Sequence, residues 1–418
     1  MNKLVIDGGV PIRGEITIQG AKNAVLPILA ASIMADGESV IHNCPRLRDV
    51  EKTCIILEDL GCDVRREQDT LYINPENINN CKIDEKLMRE MRSSIIFLGA
   101  ILAVWNKAEV GMPGGCPIGL RPIDLHIKAL RKMGVQITEE FGYLKCGCDK
   151  ISGTQIHLDF PSVGATENIM LTAVRADGTT VITNAAREPE IIDLAKFLNL
   201  MGAKINGAGS SMIVIDGVKK LSPVEYTIMP DRIVAQTYLI SALITGGEIV
   251  LKDAIASHIH SGLALLSEMG AKINTYDNTI HLKSTGKIKN VHIIKTMPYP
   301  GFATDIQSPF MALASVADGT SVFVENMFEN RFRHVDELVR MGADIKVEGR
   351  SAVVRGVKRF SGANVEAYEL RGGAALVLAA LNAEGKTTVS GVDYIDRGYQ
   401  CIEGNLSKCG AKIKRIHI

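Results

Sequence analysis

Leu266-Ser-Glu-Met-Gly-Ala-Lys-Ile273 sets the architecture, because the chain carries this phrase six times. The other copies are Leu57-Glu-Asp-Leu-Gly-Cys-Asp-Val64, Leu130-Arg-Lys-Met-Gly-Val-Gln-Ile137, Leu198-Asn-Leu-Met-Gly-Ala-Lys-Ile205, Leu338-Val-Arg-Met-Gly-Ala-Asp-Ile345 and Leu406-Ser-Lys-Cys-Gly-Ala-Lys-Ile413. Their glycines, at 61, 134, 202, 270, 342 and 410, are spaced by 73, 68, 68, 72 and 68 residues. In four copies leucine and methionine three apart share one helix face, with Leu60 and Cys409 in place of the methionine in the other two. The glycine then caps the helix in a left-handed conformation, and an alternating strand follows. The chain is therefore six copies of a unit of about seventy residues.

A second phrase precedes most of these glycines, as in Ala35-Asp-Gly-Glu-Ser-Val-Ile, Ala176-Asp-Gly-Thr-Thr-Val-Ile and Ala317-Asp-Gly-Thr-Ser-Val-Phe. Before it stands an Ala/Leu-rich helix such as Ala374-Ala-Leu-Val-Leu-Ala-Ala-Leu, apolar almost all round and so expected inside. The helix ending in Leu-x-x-Met-Gly is amphipathic and expected at the surface. Each copy reads helix, strand, helix, strand, strand, an α/β pattern with one more strand crossing from the copy before. Six such copies divide best into two domains of three, with the crossing at Val224–Arg232, and a cleft between domains is a usual place for a small-molecule site. Leu4-Val-Ile and Ile16-Thr-Ile18 look like strand, belonging to one domain or the other.

Composition narrows the function. Lysine plus arginine and aspartate plus glutamate both total 47, and aromatics are 5%, which argues against a basic or base-stacking nucleic-acid binder. The nine cysteines form no Cys-x-x-Cys pair, so reduced thiols and a cytoplasmic protein are expected. The N-terminus lacks the apolar core of a signal peptide, and no apolar run is long enough to span a membrane. Neither a Walker loop nor a strand-linked Gly-x-Gly-x-x-Gly is present. His258-Ile-His260 has ligand-like spacing, as on a strand, but no acidic partner, and no metal is expected there.

Gly111-Met-Pro-Gly-Gly-Cys116-Pro-Ile-Gly-Leu-Arg121-Pro122-Ile123-Asp124-Leu125-His cannot be helix or strand interior until Pro122, which suits the first position of a helix. A thiol on a glycine loop, ahead of a helix start and beside an arginine, is a reactive-cysteine arrangement. Other candidates are departures from the repeat at the openings of the buried helices. Lys22-Asn23 opens the first, where the helix dipole already places positive charge; it is an anion site or an exposed lysine. Arg92 opens the second, Ser162-Val163-Gly164 the third, Arg232 the fourth, Thr304-Asp305 the fifth and Glu369-Leu-Arg371-Gly372 the sixth. Asp305 is an N-cap or a general base. Arg397 stands beside Asp396, as a simple ion pair would, and Glu188 and Glu190 suit a helix first turn.

Gln-Gly-Ala-Lys22-Asn23-Ala, the Cys116 loop, Pro-Ser162-Val-Gly-Ala-Thr-Glu-Asn, Pro-Asp231-Arg232-Ile, Thr304-Asp305-Ile-Gln, Phe-Glu-Asn-Arg331-Phe and Ile-Asp-Arg397-Gly-Tyr resemble the enolpyruvyl transferase (EPSP synthase) family over the whole chain. The resemblance is to the branch that acts on UDP-N-acetylglucosamine in bacterial peptidoglycan synthesis. It implies a two-domain inside-out α/β barrel of six repeated units, with residues 21–229 in one domain and 1–20 plus 230–418 in the other. It implies transfer of the enolpyruvyl group of phosphoenolpyruvate to the sugar 3′-hydroxyl, through a tetrahedral intermediate, with no cofactor and no metal, in a cytoplasmic and monomeric enzyme.

The resemblance also implies roles. Lys22, Arg121 and Arg397 would hold the phosphate and carboxylate of phosphoenolpyruvate, with Asn23 assisting and Arg331 and Arg371 completing the cationic lining. Asp305 would bind the 3′-hydroxyl and take its proton. Arg92, Arg121, Pro122, Ile123, Asp124, Leu125, Ser162, Val163, Gly164 and Met327 would contact the UDP-sugar. Cys116 would act as general acid, carry a covalent phospholactoyl adduct and react with the epoxide fosfomycin. The chain departs from the family pattern at Glu369 (usually aspartate), Gly372 (usually alanine), Val234, Ala303 and Phe160.

Overall fold

The computed structural model describes residues 2–112 and 123–417, apart from the side chains of Glu90 and Arg92. It contains six four-stranded sheets, one for each repeat. The third repeat shows the common plan. Gln155–His157 pairs in parallel with Thr179–Thr183, which pairs antiparallel with Met212–Asp216, and that strand in turn with Lys204–Asn206. The helix between the first two strands, Val163–Ala173, is the parallel crossover that such a pair requires. The helix Pro189–Leu200 joins the second strand to the third. The fold is an inside-out α/β barrel: the crossover helices lie inside and the sheets outside.

Sequence accounts for which helix goes inside. The crossover helices Lys22–Ala31, Phe97–Trp105, Val163–Ala173, Arg232–Ile244, Gln307–Ala314 and Leu370–Asn382 carry apolar residues on every face. Every residue of Arg232–Ile244 is buried. The helices that end in the repeated phrase bury one stripe, as Arg48–Asp59 does with Val50, Thr53, Ile56 and Leu57. The capping glycines have φ of +101°, +94°, +108°, +107°, +94° and +92° in chain order, the left-handed conformation in which a β-carbon is strained.

Two findings differ from the sequence reading. The first twenty residues hold two strands in two different sheets. Asn2–Asp7 lies between Lys386–Ser390 and Lys412–His417 and completes the sixth sheet. Arg13–Thr17 pairs with Glu248–Lys252 of the fourth repeat, while Glu225–Thr227, which precedes the fourth buried helix, pairs with Ser39–His42 of the first. The chain thus exchanges one strand each way between its first and fourth repeats. The second difference is local: His258 lies in the 3-10 turn Ala256–Ile259 and His260 begins the helix His260–Glu268, so neither is on a strand.

Contacts divide the chain at Gln19/Gly20 and again at Met229/Pro230 into two compact units. Each has its own continuous apolar core. One is built on residues such as Leu29, Leu102, Ile169 and Phe197, the other on Tyr238, Phe310, Leu376 and Leu4. In each unit the buried helices pack on one another. Among the described residues no helix is long and apolar enough to cross a membrane.

Candidate active site

In the unit that begins at Pro230, the openings of three buried helices come together around one carboxylate. Asp305 lies in the 3-10 turn Thr304–Ile306 that leads into Gln307–Ala314; the cap position before that turn is Ala303. The side chain of Asp305 is engaged by two arginines. Its Oδ1 accepts from Arg331 Nη2 at 3.0 Å and its Oδ2 from Arg371 Nη2 at 3.1 Å. Both guanidiniums are buried, whereas the Asp305 side chain is 28% exposed.

Each arginine is fixed by more than Asp305. Arg331 donates to the Thr304 carbonyl from Nε at 3.3 Å and from Nη2 at 3.1 Å, and its Nη1 lies 3.5 Å from Glu369 Oε2. Arg371 sits in the first turn of Leu370–Asn382, its Cζ 5.5 Å from the centroid of the Tyr399 ring. The Tyr399 hydroxyl bonds Thr237 Oγ1 at 2.9 Å. Burial works against the charge on Arg371, but Asp305, Tyr399 and Asp231 outweigh it, and its pKa is raised. Asp231 is the N-cap of Arg232–Ile244, accepting from Ile233 N at 2.8 Å and Val234 N at 3.0 Å. The fourth, fifth and sixth buried helices therefore bring Asp231, Asp305 and Arg371 to one place. Nε and Nη1 of Arg371 are buried and have no hydrogen-bond partner among the described residues. Tyr399 is the neighbour that interacts with this buried guanidinium.

Two groups in this network, Glu325 and His334, were not singled out in the sequence. Glu325 is buried, accepts Thr304 Oγ1 at 3.0 Å and Thr296 Oγ1 at 2.9 Å, and takes the backbone N–H groups of Met327 and Phe328 at 2.7 and 3.1 Å. It holds the turn before Asp305 and the segment leading to Arg331, and Met327 is thereby placed by its own amide. Glu369 caps the sixth buried helix, accepting from Arg371 N at 2.8 Å and from Gly372 N. His334 is buried, and its pKa falls to about 4 because burial disfavours the charged ring; Arg331 also lowers it, while Glu369 opposes. No pattern in the sequence marks Glu325 or His334, since each acts on neighbours brought in by the fold. Arg397 follows the short helix Val392–Ile395. The carboxylate of its neighbour Asp396 is engaged on both oxygens by Arg415, at 2.7 Å each.

The other unit carries the remaining candidates. Lys22 and Asn23 are the first two residues of the helix Lys22–Ala31, both half-buried. Lys22 Nζ lies 2.7 Å from Asp49 Oδ2, and Asp49 belongs to the helix Arg48–Asp59. That carboxylate offsets the conflict between the lysine and the helix dipole. Arg92 is the first residue of the 3-10 turn Arg92–Ile96. Ser162 caps Val163–Ala173 through its Oγ, which accepts from Ala165 N at 3.3 Å. Ile123, Asp124 and Leu125 open the helix Asp124–Lys132. A β-carbon on Gly164 would stand 3.3 Å from His126 Cε1, so Ser162–Gly164 and Asp124–His126 are neighbours. Asn168 joins them, bonding His126 Nδ1 at 2.7 Å and the Ile95 carbonyl at 3.0 Å. Nearby in sequence, Glu167 is buried and its pKa is raised well above the usual range by burial and by the charges of Glu190 and Glu188. Cys116, Arg121 and Pro122 lie outside the described residues. Among the described residues no group of three or more His, Cys, Asp or Glu is arranged to hold a metal ion.

Comparison with known proteins adds the chemistry. The family model for EPSP synthase (3-phosphoshikimate 1-carboxyvinyltransferase) matches residues 6–406. UDP-N-acetylglucosamine 1-carboxyvinyltransferase 2 of Caldanaerobacter subterraneus subsp. tengcongensis is 52% identical over 416 residues, covering 100% of each chain. UDP-N-acetylglucosamine 1-carboxyvinyltransferase 1 of Symbiobacterium thermophilum is 50% identical over 99% of this chain and 95% of its own. Among solved structures, the enolpyruvyl transferase NikO from Streptomyces tendae superposes with a TM-score of 0.90 at 22% identity, covering 99% and 98% of the two chains. An EPSP synthase from Acinetobacter baumannii superposes at 0.75 and 20% identity over 100% of both. At these identities the two structures speak for the fold alone.

Proposed function

The chain belongs to the EPSP synthase family of enolpyruvyl transferases, and on that footing we propose how its residues divide the reaction. It is a UDP-N-acetylglucosamine enolpyruvyl transferase acting in peptidoglycan synthesis. The enolpyruvyl group of phosphoenolpyruvate passes to the 3′-hydroxyl of the sugar and phosphate is released. In the addition step the hydroxyl oxygen bonds C2 of phosphoenolpyruvate, its proton goes to a base, and the C3 methylene gains a proton. In the elimination step the C2–O bond to phosphate breaks, C3 returns a proton, and the double bond re-forms.

Asp305 is the base. The observation that supports this assignment is its position between two buried guanidiniums, with its own side chain 28% exposed. The ion pairs fix the carboxylate in place, and its exposed part is where a substrate hydroxyl would reach it. Arg371, Arg331 and Arg397 supply positive charge for the anionic groups of phosphoenolpyruvate. Lys22, Asn23 and Arg121 complete phosphoenolpyruvate binding. Negative charge that builds on the carboxylate and phosphate is met by fixed cations. Arg92, Arg121, Pro122, Ile123, Asp124, Leu125, Ser162, Val163, Gly164 and Met327 bind the UDP-sugar. Cys116 supplies the proton to C3 and is the group that fosfomycin alkylates. The enzyme works in the cytoplasm, where such biosynthetic relatives act on soluble substrates.

The deciding assay is phosphate release from phosphoenolpyruvate with each acceptor. Release is expected with UDP-N-acetylglucosamine and not with shikimate 3-phosphate; the reverse would overturn the acceptor. For the thiol, fosfomycin is expected to add once, at Cys116. Burial pushes Cys146 up to about 12 and Cys54 to about 11, so neither competes as thiolate. Adduct on Cys146 or Cys148 would count against the role of Cys116.

A further inference from the structure

We infer that Glu369 and Gly372 act as one positioning pair, in which the glycine leaves the space that the glutamate carboxylate fills and that carboxylate sets both arginines holding Asp305. The inference rests on the reading of Asp305 as the base. Its starting point is two oddities three residues apart. Glutamate is not a favoured N-cap, since shorter side chains reach the first amides better. Glycine inside a buried helix loses to alanine unless something occupies the place of the methyl. Here the two oddities explain each other.

The longer side chain carries the Glu369 carboxylate over the first turn, where Oε2 accepts from Arg371 N at 2.8 Å and Oε1 accepts from Gly372 N. The same Oε2 lies 3.5 Å from Arg331 Nη1. One carboxylate therefore holds the backbone of one Asp305-binding arginine and the side chain of the other. A β-carbon on Gly372 would stand 2.6 Å from Glu369 Oε1 and 2.7 Å from His334 Cβ. The histidine cannot yield easily, because it is only 3% exposed and the contact is at its β-carbon rather than at a flexible end. The glutamate would have to move, and both arginines with it. Conversely, an aspartate at 369 would withdraw from Arg331 and leave a gap beside Gly372. The residue at 372 thus decides which acid at 369 can align the site.

A four-member cycle tests the pair: the parent, Glu369→Asp, Gly372→Ala and the double variant, each assayed for kcat and for KM of both substrates. Gly372→Ala is expected to lower kcat by about 100-fold, the scale set by a misplacement of about 1 Å. Glu369→Asp is expected to lower it by roughly 10-fold. The double variant should recover most of the loss of either single variant, with KM for UDP-N-acetylglucosamine shifted by less than about threefold throughout. A double variant whose loss is the product of the two single losses would overturn the inference, because independent sites multiply. Should Gly372→Ala fail to fold, restoration of folded, active protein by adding Glu369→Asp supports the pair, and no restoration overturns it. Asp305→Asn in the same assay separates the two readings. If it turns over freely, the base assignment fails; if it is inactive while the cycle is multiplicative, only the pairing fails.

Discussion

Each repeat has a surface helix that closes and a buried helix that opens, and the two ends behave in opposite ways. The six closing ends are almost one sequence, each with its glycine in the left-handed conformation. The six opening ends share no sequence: they are capped by Ala21, by Met91 before a 3-10 turn, by Ser162, by Asp231, by Ala303 before a 3-10 turn and by Glu369. The closing end solves a problem every copy has, turning a helix into a strand. The opening end presents unpaired amides and a dipole. One copy places a lysine there, another an aspartate between two arginines, another a glutamate and an arginine. Repetition marks what folds the chain, and departure from repetition marks where its chemistry lies.

The hardest test of that contrast is at Asp305. Asp305→Asn should lower turnover by about 10³-fold, the scale of a lost general base, while the melting midpoint stays near that of the parent. Turnover within tenfold of the parent would show that the opening end of the fifth helix is only structural. Next in size, Arg371→Lys should lower kcat/KM for phosphoenolpyruvate by on the order of 10²-fold. An ammonium cannot serve both Asp305 and an anion as the guanidinium fork does. An unchanged KM for phosphoenolpyruvate with an unchanged kcat would remove Arg371 from the site.

The opening end of the third helix offers a test through pH. Burial raises the pKa of Glu167 well above 4.5, so the folded state holds a proton that the unfolded chain releases. The stability this contributes is fully present below pH 4.5 and is lost as the pH rises toward the folded pKa, by up to about 1.4 kcal/mol per pH unit. Glu167→Gln should remove that slope, so that urea midpoints at pH 5 and pH 8 differ less than in the parent. Equal slopes in both proteins would show that Glu167 is not the titrating group. The smallest effect belongs to the closing ends. Gly202 has φ of +108°, and a β-carbon added there would meet nothing within 4 Å, so Gly202→Ala meets backbone strain alone. It should cost about 1–2 kcal/mol of stability in a denaturant titration and leave turnover unchanged. Gly61→Ala should cost more, because its β-carbon would also stand 2.7 Å from the Asn77 carbonyl oxygen.

The fold was legible because its signals are local and repeated. A glycine that must be left-handed, and a helix with no polar face, can be recognised without knowing what they touch. Strand exchange was not legible. Ile16-Thr-Ile18 reads as strand, but nothing in those residues says that the strand pairs with Glu248–Lys252 rather than within its own repeat. The His258–His260 misassignment has a related cause: alternation over three residues fits a strand and a turn into a helix equally well. At the candidate site, Asp305 could be read from its position as a cap or as a base. The structure shows a carboxylate shared by arginines 26 and 66 residues further along, a grouping with no counterpart in local sequence. Glu325 and His334 carried no signal for the same reason, and Asp49 was hidden as an ordinary first-turn acid.

Periodicity and backbone strain act over a few residues, so the amino-acid order was enough to define the unit, its six copies and the inside and outside of each helix. Which strands trade repeats was settled only in three dimensions. So was the meeting of three helix openings at Asp305 with Arg331 and Arg371, and the space that Glu369 and Gly372 share. Hydrogen bonds, ion pairs and excluded volume between distant residues exist only once burial has brought them together.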